Sequence, residues 1–200
     1  MSDPIELPAW AVPNGASAAL VDAGGIMRSP LNTAALRVDR PGSHYRIALT
    51  FPVFDEPRDG RVIVSRLIRA KRQGLRVPFP LPESQGAVGN PVVDGVGQAG
   101  LTLMVRGLTP AVAIREGFWL SIEAASGQHY LHNVAAEVLA AADGRATLAL
   151  SEMLRAPFLD GARVHLTKPM VEGVVDGGEQ AWSLSVEHQV SIECMLEEAG

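Results

Sequence analysis

Between positions 182 and 196 apolar and polar residues alternate with little interruption. Trp182, Leu184, Val186, Val190, Ile192, Cys194 and Leu196 form one series, with His188 its single polar member. Ser183, Ser185, Glu187, Gln189, Ser191 and Glu193 form the other, which Met195 interrupts. Side chains of a strand point alternately to its two faces, so the pattern predicts one long strand, or a tight pair of strands, with a dry face and a wet one. Strands commonly run about five or six residues, so this one needs a partner of similar length. The best candidate is 45–51, where Tyr45, Ile47, Leu49 and Phe51 alternate with Arg46, Ala48 and Thr50. Leu36-Arg37-Val38-Asp39 is expected to be the hairpin mate of that strand across Arg40-Pro41-Gly42.

Elsewhere the period changes. Asp59 offers an N-cap, and Val62, Ile63, Val64, Leu67, Ile68 and Ala70 supply an apolar stripe that stops at Gly74, which predicts a helix over 60–73. From Gly86 onward short apolar runs recur: 101–105, 118–122, 130–138, 146–150 and 163–166. Turn signals stand between them at Gly107, Glu116-Gly117, Ser126-Gly127, Asp143-Gly144 and Asp160-Gly161. That rhythm suggests a small barrel or sandwich. If the strand after Ala181 pairs with the one before Phe51, residues 87–171 are an insertion, and 1–86 with 172–200 make one discontinuous domain. The first thirty-odd residues, rich in Pro, Gly and Ala around Trp10, read as an extended arm or irregular strands that need a partner surface for order.

Composition agrees with a mainly β protein that has an α+β N-terminal part. Of 200 residues 47% are hydrophobic and 20% charged, which indicates a globular chain, and 20 Gly with 14 Pro favour a turn-rich fold. The net charge of -5 gives no electrostatic case for nucleic acid or an anionic membrane. The apolar runs are too short for membrane insertion. The first ten residues lack the basic-then-apolar pattern of a signal peptide, so synthesis and maturation in the cytosol are expected. Cys194 excludes an intrachain disulfide framework and, from its place in the alternation, reads as a buried structural thiol.

The residues that carry chemistry do not assemble into a motif. His44, His129, His132, His165 and His188 show no metal-ligand spacing, and His129 and His132 would face opposite sides of a strand, so no metal or cofactor is expected. His188, on the apolar face, reads as a bend or a satisfied imidazole. Gly95-Val96-Gly97-Gln98-Ala99-Gly100 has the spacing of a dinucleotide loop but precedes a strand rather than a helix, so it reads as a turn. Nucleophile elbows, Walker loops and paired catalytic carboxylates are missing, and no enzyme activity is expected. Arg58, Arg61, Arg66, Arg69, Lys71, Arg72 and Arg76 hold seven of the 17 cations. They read first as a solvated face, next as partners for acidic groups of a neighbouring subunit, and last as a phosphate-binding surface. Trp10, Trp119 and Trp182 read as core or interface anchors.

The layout resembles the distal tail proteins of long-tailed, siphovirus-type phages and prophages. The stretches that carry the resemblance are Arg28-Ser29-Pro30-Leu31-Asn32, then 37–43 before the first long strand, the Arg-rich helix, Gly97-Gln98-Ala99-Gly100 with Arg106-Gly107-Leu108, Arg115-Glu116-Gly117-Phe118, and 151–155. The resemblance covers most of the chain and rests on structural turns. It implies a β belt domain with one helix that closes into a hexameric ring, and a small β-barrel of galectin or OB type, here inserted between belt strands. The implied role is that of a virion protein at the tail tip, assembled in the bacterial cytoplasm and joining the tail tube to hub and tape-measure proteins. Arg61, Arg66, Arg69, Arg72, Trp10 and His188 are then the candidate inter-subunit residues. The competing expectation is a carbohydrate-binding module, or another tail-completion or baseplate adaptor.

Overall fold

The computed structural model describes residues 3–28, 34–54, 56–177, 182–184 and 190–198. In chain order its elements begin with β1 (Ile5–Glu6), β2 (Gly15–Val21), β3 (Gly25–Met27), β4 (Leu36–Val38), β5 (His44–Thr50), the helix α1 (Pro57–Gln73), β6 (Leu75–Pro78), β7 (Gly89–Val93) and β8 (Thr102–Leu108). They continue with β9 (Ala113–Ile114), β10 (Trp119–Glu123), β11 (His129–Asn133), β12 (Val138–Leu139), β13 (Ala146–Ala149), β14 (Val164–His165), β15 (Met170–Val175), β16 (Trp182–Leu184) and β17 (Val190–Glu198). The fold is mainly β, with one helix among the described residues.

The chain divides into two compact units. Met1–Ala19, Tyr45–Glu83 and Lys168–Ala199 form the first; Leu20–His44 and Ser84–Thr167 belong to the second. This division differs from the expected 1–86 with 172–200 against 87–171 chiefly at 20–44. That segment goes with the second unit, where Pro41 lines one hollow with Gly97, Gln98, Leu154 and Pro157.

In the first unit a sheet runs in the order β1-β6-β15-β17-β5-β2, with β16 also paired to β17. β17 lies antiparallel to β5 with Cys194 opposite Leu49 and Leu196 opposite Ile47, the partnership that the alternation predicts. Ile192, Cys194, Leu196 and Glu198 are buried on one face of β17, while Glu193 and Met195 are exposed on the other. Glu198 extends the buried series with a carboxylate, and its Oε2 accepts the Tyr45 N–H at 2.9 Å. Residues 185–189 lie outside the described set, His188 among them.

The expected hairpin between 36–39 and β5 does not form. Both flanks of β5 are taken by β17 and β2, and β4 pairs instead with β3. Nor do all of the first thirty residues wait for an outside surface: β1 pairs in parallel with β6, and β2 lies beside β5.

α1 begins earlier than the Asp59 cap suggests. Pro57 occupies the first helical position and Glu56 stands at the N-cap without a side-chain cap bond. Proline is pre-set for that place, since its φ already suits the helix and its missing N–H has no partner to lose. Asp59 falls in the first turn, where the helix dipole favours an anion. The helix ends at Gly74, whose φ of 85° suits glycine and whose N–H reaches Ala70 O at 2.8 Å. Gly60, Ile63, Leu67 and Ala70, spaced three and four apart, are buried, whereas Ile68 of the expected stripe is 51% exposed. The helix packs on β15, β1, β17 and β6. Burial of Ile63 and Leu67 is worth about 1.5–3 kcal/mol each.

In the second unit the strands surround a core that includes Leu103, Val105, Leu120, Ile122, Leu148, Phe158 and Leu166. The ladders form sheets β13-β8-β7, β11-β10-β14 and β12-β9, and none closes into a barrel. The two three-stranded sheets meet at both flanks through isolated bridges, Val92 with Arg163 and Val134 with Leu150. Strands this short run out of residues before a continuous seam can form. Arg106 pins one flank: it reaches Asp94 at 2.9 Å and also pairs with Asp160, whose carboxyl it holds below the usual range.

Two predictions concern the sheet of the first unit. At Gly173, between β6 and β17, an added Cβ would overlap the carbonyl oxygen of Glu197, so the ladders on both sides depend on the missing side chain. G173A is expected to cost about 3 kcal/mol or to prevent folding, read from urea unfolding curves. Burial pushes the Cys194 thiol up to about 12. The native protein should therefore leave a disulfide reagent such as DTNB unreacted at neutral pH and release one equivalent of thiol only when denatured; rapid native labelling would contradict the packing of β17.

Candidate functional site

The exposed side of α1 carries the cations. Arg58, Arg61, Val62, Ser65, Arg66 and Arg69 line one shallow groove along the helix. Arg58, Arg69 and Arg72 are exposed and make no ion pair among the described residues. Arg66 is tied down: its Nη1 donates to Glu6 O at 2.5 Å. Lys71 donates to Gly177 O. Arg76, counted with this cluster in the sequence, belongs to β6 and is neutralised inside the sheet. It pairs with Glu172 at 2.7 Å and Glu6 at 3.3 Å, its register partners on β15 and β1. The helix therefore presents a cationic stripe, while the cation that follows it is consumed by the fold.

Two apolar surfaces accompany that stripe. Trp10, 47% exposed, packs edge-on against Phe54 with ring centroids 5.9 Å apart, and the neighbouring Val53 is 50% exposed. In the second unit the β3–β4 hairpin shows apolar groups on both faces. Met27 stands opposite Leu36 and Ile26 opposite Arg37, and Ile26, Met27 and Leu36 are each at least 60% exposed. Arg37, held by Asp22 at 2.9 Å and Asp39 at 2.6 Å, braces the hairpin. An isolated two-stranded ribbon is at best marginally stable in water, so side chains like these call for a covering surface. Hydrophobic periodicity missed the hairpin because neither of its faces is dry. Of the six candidate inter-subunit residues, the structure brings Arg61, Arg66 and Arg69 to one groove, carries Arg72 on the same helix, sets Trp10 on Phe54, and leaves His188 outside the described residues.

The glycine-rich loop at 95–100 is held by Gln98. Its side-chain nitrogen donates to Asp94 O at 2.9 Å and Met104 O at 3.1 Å, and its oxygen accepts the Met104 N–H at 2.5 Å. Gln98 thus ties the loop to β8. His132 and Glu152 form a buried polar pair that the sequence spacing does not announce. Nδ1 of His132 lies 3.0 Å from Glu152 Oε1, which also accepts the Asn133 N–H at 3.1 Å. Nε2 of His132 is buried without a hydrogen-bond partner, and its ring stands edge-on to Phe158. The pair faces the core side of β11, whereas His129 faces the other side with Glu123 and His165, as strand alternation requires.

No family model matches the chain, and no curated relative does.

Removing Glu152 as E152L strands the Asn133 N–H and the imidazole in the core. It should cost about 3 kcal/mol in urea unfolding. E152Q, which retains an acceptor oxygen, should cost less than E152L; equal losses would show that the hydrogen bonds at Oε1 do not carry the effect.

Proposed function

We propose that this chain is a structural virion subunit that closes with copies of itself into a ring at the distal end of a phage-type tail, joining the tail tube to the hub. The observation that carries this reading is the β3–β4 hairpin, apolar and exposed on both faces. Hydrophobic groups so displayed are unfavourable in a monomer and favourable in a contact repeated around an axis.

Two further features support self-assembly. The sheet of the first unit ends in β1 and β2, each with an outer edge unpaired among the described residues. Open edges invite strand addition, and ring closure covers them without unlimited growth. The cationic stripe of Arg58, Arg69 and Arg72 fits an acidic neighbour, and a chain of net charge -5 supplies acidic surface from its own copies. The role this reading assigns is mechanical, with the virion tail tip as its place and the bacterial cytoplasm as the site of assembly.

Mass photometry and negative-stain imaging of the purified protein, alone and with its tail tube partner, test the reading. Closed rings are the expected particle, and the hexamer is the expected copy number. I26D combined with L36D should reduce rings to monomers while changing unfolding stability by no more than about 0.5 kcal/mol, the usual range for surface substitutions. Monomers alone at high concentration, with the partner also present, overturn the proposal.

A further inference from the structure

Three strands of the second unit place a chemically mixed cluster on one face of a single sheet. β10 lies between β11 and β14; Glu123 stands opposite His129 across one ladder, and Ser121, two residues earlier, stands opposite His165 across the other. Residues separated by up to 42 positions are thereby made neighbours, which is why no spacing motif announces them. Glu123, His129 and His165 each offer one ligand atom, and these atoms all lie within 4.8 Å of one another.

We propose that Glu123, His129 and His165 form a binding site for a divalent transition metal, Zn²⁺ in the first instance. Two imidazoles and one carboxylate are the donor set of a three-ligand zinc site, with the fourth position left to water or another ligand. Nitrogen donors in the majority disfavour Ca²⁺ and Mg²⁺, which take oxygen.

The geometry suits the ion. Tetrahedral bonds of about 2.0–2.1 Å put ligand atoms about 3.4 Å apart. His165 Nε2 and Glu123 Oε2 are already 3.3 Å apart. The rings of His129 and His165 are tilted at 44° to each other with centroids 5.0 Å apart, so a side-chain rotation is needed to complete the set. Ser121 Oγ lies 3.4 Å from His129 Nδ1, the type of outer partner that fixes a ligand ring in place. His129 is buried at the floor of the site, whereas the side chains of Glu123 and His165 are each 32% exposed and give the ion a way in.

The test uses the full chain, stripped of metal with chelator. Zn²⁺ is titrated by calorimetry, and Co²⁺ by visible absorption, where a few-coordinate nitrogen-oxygen site gives a strong d–d band. One equivalent is expected to bind. H165Q and E123Q should each weaken binding about 100-fold or more, beyond the effect expected of an outer-sphere change. Both residues are partly exposed, so both variants should fold, with circular dichroism as the check. H44Q, outside the cluster, should bind as the parent does. Absence of saturable binding by the parent, or parental affinity in either H165Q or E123Q, overturns the proposal.

Discussion

The position of β17 governs the first unit: the strand that comes last along the chain lies between β15 and β5, in the interior of its sheet. Its Cys194 and Leu196 stand against Leu49 and Ile47, 145 and 149 positions away in sequence. Until β17 arrives, β5 with β2 and β6 with β15 are separate pieces, and the apolar face on which α1 packs is incomplete. The entropic cost of so long a closure grows only slowly with loop length. Its kinetic consequence is larger, because non-local pairing slows folding. The strands β7 to β14 have no such requirement, since they pair among themselves within one continuous stretch.

Short strands leave main-chain groups without ladder partners, and buried polar side chains take their place. Glu198 accepts the Tyr45 N–H at the end of the β17–β5 ladder. Gln85 clamps β10 by accepting the Trp119 N–H at 2.6 Å and donating to Trp119 O at 2.7 Å. Gln98 does the same for Met104, and Glu152 accepts the Asn133 N–H. A buried backbone donor or acceptor without a partner is costly, so each of these side chains acts as a substitute strand. Their burial follows from irregular β architecture.

Where one face is dry and the other wet, the sequence is legible. Alternation finds β5, β17 and their pairing, and the three-four spacing finds α1. β6 is harder to see because it follows Gly74 directly and ends in the proline-rich segment at 78–82, which reads as an exit from the helix. The β3–β4 hairpin escapes because it has no buried side, and pattern reading depends on contrast between faces. The Glu123, His129 and His165 cluster is invisible for a different reason. It exists through register, and register between three strands depends on turns and packing that no local window contains. Of the expected small barrel or sandwich, no sheet closes into a barrel, and two isolated bridges stand at the seams in place of ladders.

Stability does not explain the surface chemistry. The core of the second unit is built without Ile26, Met27 or Leu36, and α1 is anchored by Ile63, Leu67 and Ala70 without help from Arg58, Arg69 or Arg72. A soluble monomer would gain from polar groups on the hairpin and from mixed charge along the helix. The chain instead places apolar side chains on a ribbon with two wet faces, and cations in a row on a protein that is acidic overall. Both departures are unfavourable to an isolated subunit and become favourable when a second copy covers the ribbon and sets carboxylates opposite the arginines. The self-association proposed above would account for features that the internal requirements of the fold leave without a cause.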